Sequence, residues 1–192
     1  MKREHLRPLV HAGLLGFVFL ARVLDRWEMA TVAFAAFLVN LLLLPRTPFG
    51  RALHREGEPR WNGLVAYPLA VAVAFALFEP AFAAIAWAVM AIGDPAATLV
   101  GTARPWKVRL FHNRRKSAAG SLAFALAGWA GSVGIAMTLC RWPLFAALPL
   151  CGYGALVGAF VESLPIPRDD NLPIVLAVGG FFTLVFSGYG HL

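Results

Sequence analysis

The sequence predicts an all-α protein, a polytopic transmembrane helical bundle of about seven spans with its N-terminus in the cytoplasm. Three observations lead there. The 192-residue chain is 59% hydrophobic and only 14% charged, too apolar for the surface of a soluble domain of this size. Apolar stretches recur along the whole length, separated by short polar or proline-containing breaks. The basic residues are also partitioned as the positive-inside rule requires. The spans fall at roughly 7–24, 28–44, 64–79, 81–101, 118–140, 143–163 and 172–190, giving one integral membrane domain over 1–192 with no soluble appendage.

Span one follows a basic segment and resembles a signal peptide, but no small-residue cleavage site follows Phe19-Leu20-Ala21-Arg22. It therefore reads as a retained anchor. It carries His11, an imidazole on an otherwise apolar helix. Spans two and three flank a basic loop, and spans three and four are separated only by the tight Glu79-Pro80 break. Span five follows the basic loop Arg104–Ser121, span six ends at Glu162, and span seven follows the Pro165-Ile166-Pro167 turn. With the N-terminus inside, every Lys and Arg except Arg22, Arg26 and Arg141 falls on the cytoplasmic side, 14 of 17. The net charge of +7 is thus accounted for by membrane topology and does not call for a nucleic-acid partner. Cys140 and Cys151 lack metal-ligand spacing and read as packing residues.

The most informative residue is Asp94, inside the apolar run Ala81–Gly101. A carboxylate at such depth costs about 2.5–3.5 kcal/mol on insertion scales and by default marks a functional site. Asp94, Ala97 and Gly101 share one helical face. Small residues there let a helix or ligand approach the carboxylate, and Pro95 is expected to loosen the hydrogen-bond ladder before it.

Three more polar groups lie on the same side. The loop Arg104–Ser121 holds six cations and ends in Arg115-Lys116-Ser117, with Gly120 and Ser121 following. Ser117 is the expected N-cap of span five, so a helix amino-terminus and its basic flank face an anion together. Small residues at that helix start permit a phosphate to reach the backbone. Gly154, Gly158 and Glu162, spaced i, i+4, i+8, put an acid at the end of a small-residue stripe of the kind that packs helices closely. Asp169-Asp170-Asn171-Leu172-Pro173 serves as a helix start, and its carboxylates also suit Mg²⁺, a hard ion that takes oxygen ligands and substrate phosphates.

Acids for Mg²⁺, cations and a helix amino-terminus for phosphates, and an intramembrane approach are what phosphoryl transfer to a lipid requires, since that reaction rests on positioning and charge neutralisation. The chain has no Walker-type loop, protein-kinase motif, Ser-His-Asp order or HExxH motif. Asp94, Glu162 and Asp170 are the candidate metal carboxylates. Arg115, Lys116, Ser117, Gly120, Ser121 and Asn171 are the candidate nucleotide contacts. His11, with an unperturbed pKa of about 6.5, is a candidate base toward the lipid hydroxyl, although the sequence does not place it near Asp94.

The chain resembles the dolichol kinase and phytol kinase family, the CTP-dependent polyprenol kinases, over most of its length and in order. Gly63-Leu64-Val65-Ala66-Tyr67-Pro68-Leu69 is similar to that family's Gly…Tyr-Pro-Leu segment, and Gly93-Asp94-Pro95-Ala96-Ala97 to its GD-x-A-A motif. Lys116-Ser117-Ala118-Ala119-Gly120-Ser121 resembles its KS-x-E-G-S motif, and Asp170-Asn171-Leu172 its DNL motif. The resemblance implies transfer of the γ-phosphoryl group of CTP, with a divalent cation, to an isoprenoid or related lipid alcohol at an inner-membrane site facing the cytoplasm. It makes Asp94 and Asp170 metal or catalytic carboxylates, with Lys116 completing the catalytic set, and gives Lys116, Ser117 and Asn171 nucleotide roles. Two departures stand out: Ala119 replaces the motif glutamate, and Thr102-Ala103-Arg104-Pro105 replaces the glycine that usually follows the GD motif. Two other readings are a CTP:phosphatidate cytidylyltransferase-like enzyme and a non-catalytic lipid-binding or transport protein. The first lacks its long C-terminal acidic-basic signature, and the second lacks paired repeats.

Overall fold

A computed structural model describes residues 9–53, 63–103, 108–167 and 169–188. Lys2, Arg3, Arg7, Arg55, Arg60, Arg104, Lys107 and Arg168, all assigned above to the cytoplasmic side, lie outside the described residues, as do Pro105 and both outer ends of the expected bundle. The described elements are helices: α1 (Leu9–Arg22), α2 (Arg26–Leu42), the short α3 (Pro48–Leu53), α4 (Gly63–Leu77), α5 (Pro80–Thr102), α6 (Ala118–Thr138), α7 (Leu144–Ser163) and α8 (Asn171–Ser187). The stretch Arg26–Arg46, α5, α6 and α7 are long and apolar enough to cross a membrane. The apolar α1, α4 and α8 are shorter. At 1.5 Å per residue, the 15 residues of α4 reach about 22 Å, against a hydrocarbon core of roughly 30 Å.

Local chemistry sets the breaks between helices. Asp25 accepts hydrogen bonds from the N–H groups of Trp27 and Glu28 at 2.8 and 2.9 Å, and Glu28 accepts from Asp25 N–H at 2.8 Å. This reciprocal capping box starts α2 just after α1 ends. Pro80 occupies the first turn of α5, where its missing N–H costs nothing.

α5 is the central helix. Its residues Ala83 to Ala91 are buried without interruption, as expected of a helix apolar all round. It packs most extensively against α6, and α4, α7 and α8 also border it. Glycines let the backbones close up. A Cβ on Gly128 would stand 3.1 Å from the Val89 carbonyl oxygen, and one on Gly158 would press Val89 and Phe124. The Gly154–Glu162 stripe thus packs helices as expected, with Gly154 seated against Phe182 of α8.

Prolines lie inside α4, α5 and α7 without ending them. Pro95 in particular sits in a helix that continues to Thr102, so any loosening of the ladder there stays local. At Pro68 the compensation is visible. Proline removes the N–H that would bond the Leu64 carbonyl four residues back, and the Asn40 amide of α2 donates to that carbonyl at 2.7 Å. A neighbouring helix thus satisfies the freed group.

Replacing Gly128 by Ala forces α5 and α6 apart against a backbone oxygen that cannot yield, and should cost about 1–3 kcal/mol. Gly134 on the same helix has open space where a Cβ would go. Gly134→Ala should therefore leave thermal stability unchanged or raise it, and comparing the melting of the two purified variants checks this.

Candidate functional site at the α5–α8 junction

The loop before α6 folds back on itself, and its shape comes from the backbone. Leu110 N–H donates to the Lys116 carbonyl at 3.1 Å, Lys116 N–H to the Asn113 carbonyl at 3.0 Å, and Ala118 N–H to the Val108 carbonyl at 2.9 Å. The Arg109 guanidinium adds a bond to the Arg115 carbonyl at 3.0 Å. The buried Asn113 anchors this turn by donating its amide to the Ser163 and Leu164 carbonyls at 3.1 and 3.0 Å. Carbonyls at the end of a helix lack intrahelical partners, so Asn113 caps α7 while fixing the loop. His112 Nε2 also lies 3.1 Å from the Ser163 carbonyl.

Lys116 is held by this turn between two acids from different elements. Its Nζ lies 2.6 Å from Glu162 Oε1 at the end of α7 and 2.7 Å from Asp170 Oδ2 before α8. Ser121 Oγ donates to the other Glu162 oxygen at 3.1 Å. The side chain of Glu162 is 2% exposed, against 27% for Lys116 and 20% for Asp170. Glu162 is therefore buried, not an interfacial surface acid. A buried carboxylate is tolerable only when paired and hydrogen-bonded, and Lys116 with Ser121 meets that condition. Burial alone would lower the Lys116 ammonium, but the Asp170 and Glu162 charges and their hydrogen bonds outweigh it and hold it above the usual lysine value.

Capping at α8 is divided between two aspartates. Asp170 occupies the N-cap position but makes no side-chain cap bond, because its carboxylate is turned to Lys116. Asp169 supplies the cap instead, accepting from Asn171 N–H at 3.0 Å and from the Asn171 amide at 3.2 Å. Asn171 is buried, and its Oδ1 has no hydrogen-bond partner.

Asp94 approaches the same cluster from α5, within electrostatic range of Asp170, Lys116, Asp169 and Glu162. His11 Nδ1 lies 3.9 Å from Asp94 Oδ2, so α1 brings to the carboxylate an imidazole that sequence alone cannot place. The His11 ring meets Tyr67 edge-on with centroids 3.9 Å apart. The Tyr67 hydroxyl donates to the His11 carbonyl at 3.2 Å and accepts from Trp87 Nε1 at 2.6 Å.

Ser117 and Gly120 take a packing position. The Ser117 hydroxyl caps α6 by accepting from Gly120 N–H at 3.1 Å, as the sequence predicts. A Cβ on Gly120 would stand 3.1 Å from the Ala97 carbonyl oxygen and 3.3 Å from Gly101 Cα. The Ala97–Gly101 face of α5 is therefore closed by the start of α6. Arg115 is exposed and, with Arg114, Lys116 and Asp170, lines a cleft of about 510 Å³ between the basic turn and Leu164–Pro167.

Among the described residues no three His, Cys, Asp or Glu side chains form a ready-made metal cage. The donors still fit a divalent ion of the Mg²⁺ type, which commonly needs one or two protein carboxylates plus substrate phosphates. Glu162 and Asp170 already flank a cation, and Asn171, next to Asp170 in the chain, has a buried Oδ1 with no hydrogen-bond partner. His112, Asn113 and Trp87 carry no motif in the sequence, and Tyr67 stands there only within the Gly…Tyr-Pro-Leu segment. The only signals were the His-Asn pair ahead of Arg114-Arg115-Lys116 and the Tyr-Pro pair of the α4 segment.

No family model matches the chain, and no solved structure matches it. Two curated proteins do. The chain is 30% identical over 205 residues to "Probable phytol kinase 1, chloroplastic" of Glycine max, covering 92% of this chain and 66% of that protein. It is 31% identical over 174 residues to "Probable phytol kinase 2, chloroplastic" of Oryza sativa subsp. japonica, covering 82% of this chain and 57% of that protein. The chain thus spans somewhat under two thirds of the length of the curated relatives it matches. Along most of its own length, this chain is similar in sequence to these two proteins, both named as probable phytol kinases.

Proposed function

We propose that the chain is a lipid-alcohol kinase that transfers the γ-phosphoryl group of CTP, or another nucleoside triphosphate, to the hydroxyl of an isoprenoid alcohol such as phytol. The observation that carries this reading is the Lys116 ammonium fixed between Glu162 and Asp170, beside a basic cleft and within range of an intramembrane carboxylate. The kinship with phytol kinases supports the reaction class.

The roles follow from donor chemistry. Arg114 and Arg115 receive the polyphosphate in the cleft. An ammonium has three donors, so Lys116 can reach a phosphate oxygen with one while keeping its acids. Asn171 and Ser121 complete the nucleotide side, while Ser117 and Gly120 hold the start of α6 against α5. Glu162, Asp170 and Asn171 Oδ1, with Asp94 nearby, would hold Mg²⁺, which when bound neutralises charge on the phosphoryl oxygens. His11, oriented by Tyr67 and close to Asp94, accepts the proton of the lipid hydroxyl. In this reading the protein crosses an inner membrane with seven spans and an inside N-terminus, and the basic turn faces the cytoplasm.

Asp94→Asn removes the charge at constant shape. It should lower turnover by about 100-fold or more while leaving the melting temperature near wild type, measured as nucleotide-dependent phosphorylation of phytol in detergent. Unchanged turnover removes Asp94 from the mechanism.

Lys116→Met leaves Glu162 buried without its cation and should destabilise the protein by roughly 3–5 kcal/mol. The double variant Lys116→Met/Glu162→Gln should regain most of that stability and none of the activity. Recovery of both in a paired melting and turnover assay would reduce the cluster to a structural ion pair.

A further inference from the structure

We propose that the groove between α1, α2, α4 and α5 holds the hydrocarbon chain of the lipid alcohol, with the hydroxyl at the His11–Tyr67 end and the tail running toward the α1–α2 turn. The proposal rests on the kinase reading for the identity of the head group. The groove encloses about 300 Å³.

Its shape originates in the backbone of α1. After residue 13 the helix tightens into a nine-residue 3₁₀ segment, Leu14–Arg22, far longer than such segments usually run. In a 3₁₀ helix side chains three apart eclipse one another, so Leu14, Phe17 and Leu20 stack as one straight ridge, and all three line the groove. An α-helix would rotate them progressively away. The alternate ridge, Leu15 and Val18, turns into the core. The tightened helix thus separates a core face from a ligand face.

The groove is graded in polarity along its length. α2 runs back along α1 after the short Val23–Asp25 connection, so Met29 lies at the Leu20 end and Asn40 at the opposite end. From Met29 to Asn40 the helical rise amounts to about 16 Å, roughly one leaflet of the hydrocarbon core. The Leu20–Met29 end is lined by hydrocarbon. The other end carries Asn40, Tyr67 and Trp87, and through Tyr67 it abuts His11 and Asp94. Asn40, Tyr67 and Trp87 are bonded within the protein, so it is the approach to His11 and Asp94 at this end that matches an alcohol with one hydroxyl and a long apolar tail. The second apolar groove, between α6 and α7, presents Leu122, Leu126, Tyr153 and Leu156 and has no such connection to Asp94.

Two measurements on the full chain in liposomes test this. A geranylgeraniol analogue carrying a diazirine at its tail end should label the Leu20–Met29 region, and excess phytol should suppress the labelling. Labelling centred on Leu126 or Tyr153 instead overturns the proposal. The second measurement narrows the outer half of the groove with Val32→Trp at a half-exposed position. It should raise KM for geranylgeraniol about tenfold or more, with KM for nucleotide and for geraniol, the half-length homologue, unchanged. Equal effects on both alcohols, or the same effect from Leu126→Trp in the other groove, overturn it. If the wild type phosphorylates neither alcohol the kinase reading fails, and the labelling pattern alone still decides where the chain binds.

Discussion

The site depends on one interaction, the ammonium of Lys116 held between the buried Glu162 and the partly buried Asp170. It joins the basic turn, the end of α7 and the start of α8 through their side chains. Without the cation, α7 would carry an uncompensated charge into the protein interior, which costs several kcal/mol. Asn113 on the α7 carbonyls, Asp169 as the cap of α8 and Ser121 on Glu162 then fix each partner in turn. Each of these polar groups satisfies a helix end or a buried charge and also shapes the cluster.

The membrane setting explains why the scaffold around this cluster is built from Ala and Gly. Lipid offers little hydrophobic drive between helices, so close backbone approach must supply the packing. α5 shows this most clearly, with Val89 against Gly128 and Gly158, and Ala97 and Gly101 against Gly120. That tight seam carries Asp94 at a fixed depth. On its other side lies the looser groove lined by the 3₁₀ ridge of α1. Rigid support on one side and an accessible channel on the other suit a site that must admit a long lipid.

Much of this was legible in the sequence where the signal is local. Hydropathy located the helices to within a few residues, the Ser117 cap followed from residue type and position, and Asp94 stood out because of its cost in an apolar run. The stripe ending at Glu162 indicated close packing. The backbone form of α1 was less legible: hydropathy marks an apolar helix there but does not register that Leu14–Arg22 is 3₁₀. The position of His11 beside Asp94 was not legible at all, since the 3.9 Å approach joins residues 83 positions apart. Nor could spacing distinguish Asp170 as a cap from Asp170 as a partner of Lys116. That choice depends on where the basic turn lands, and the turn is placed by Asn113.

The central claim is that the cluster moves a terminal phosphoryl group onto a lipid hydroxyl. The most direct measurement incubates the purified full chain with phytol, Mg²⁺ and CTP labelled in one reaction at the γ-phosphorus and in another at the α-phosphorus. The account predicts that γ-label enters the lipid phase while α-label remains in water-soluble CDP. α-Label in the lipid with release of pyrophosphate would mean nucleotidyl transfer, and no label in the lipid with CTP, ATP, GTP or UTP would contradict phosphoryl transfer to phytol altogether.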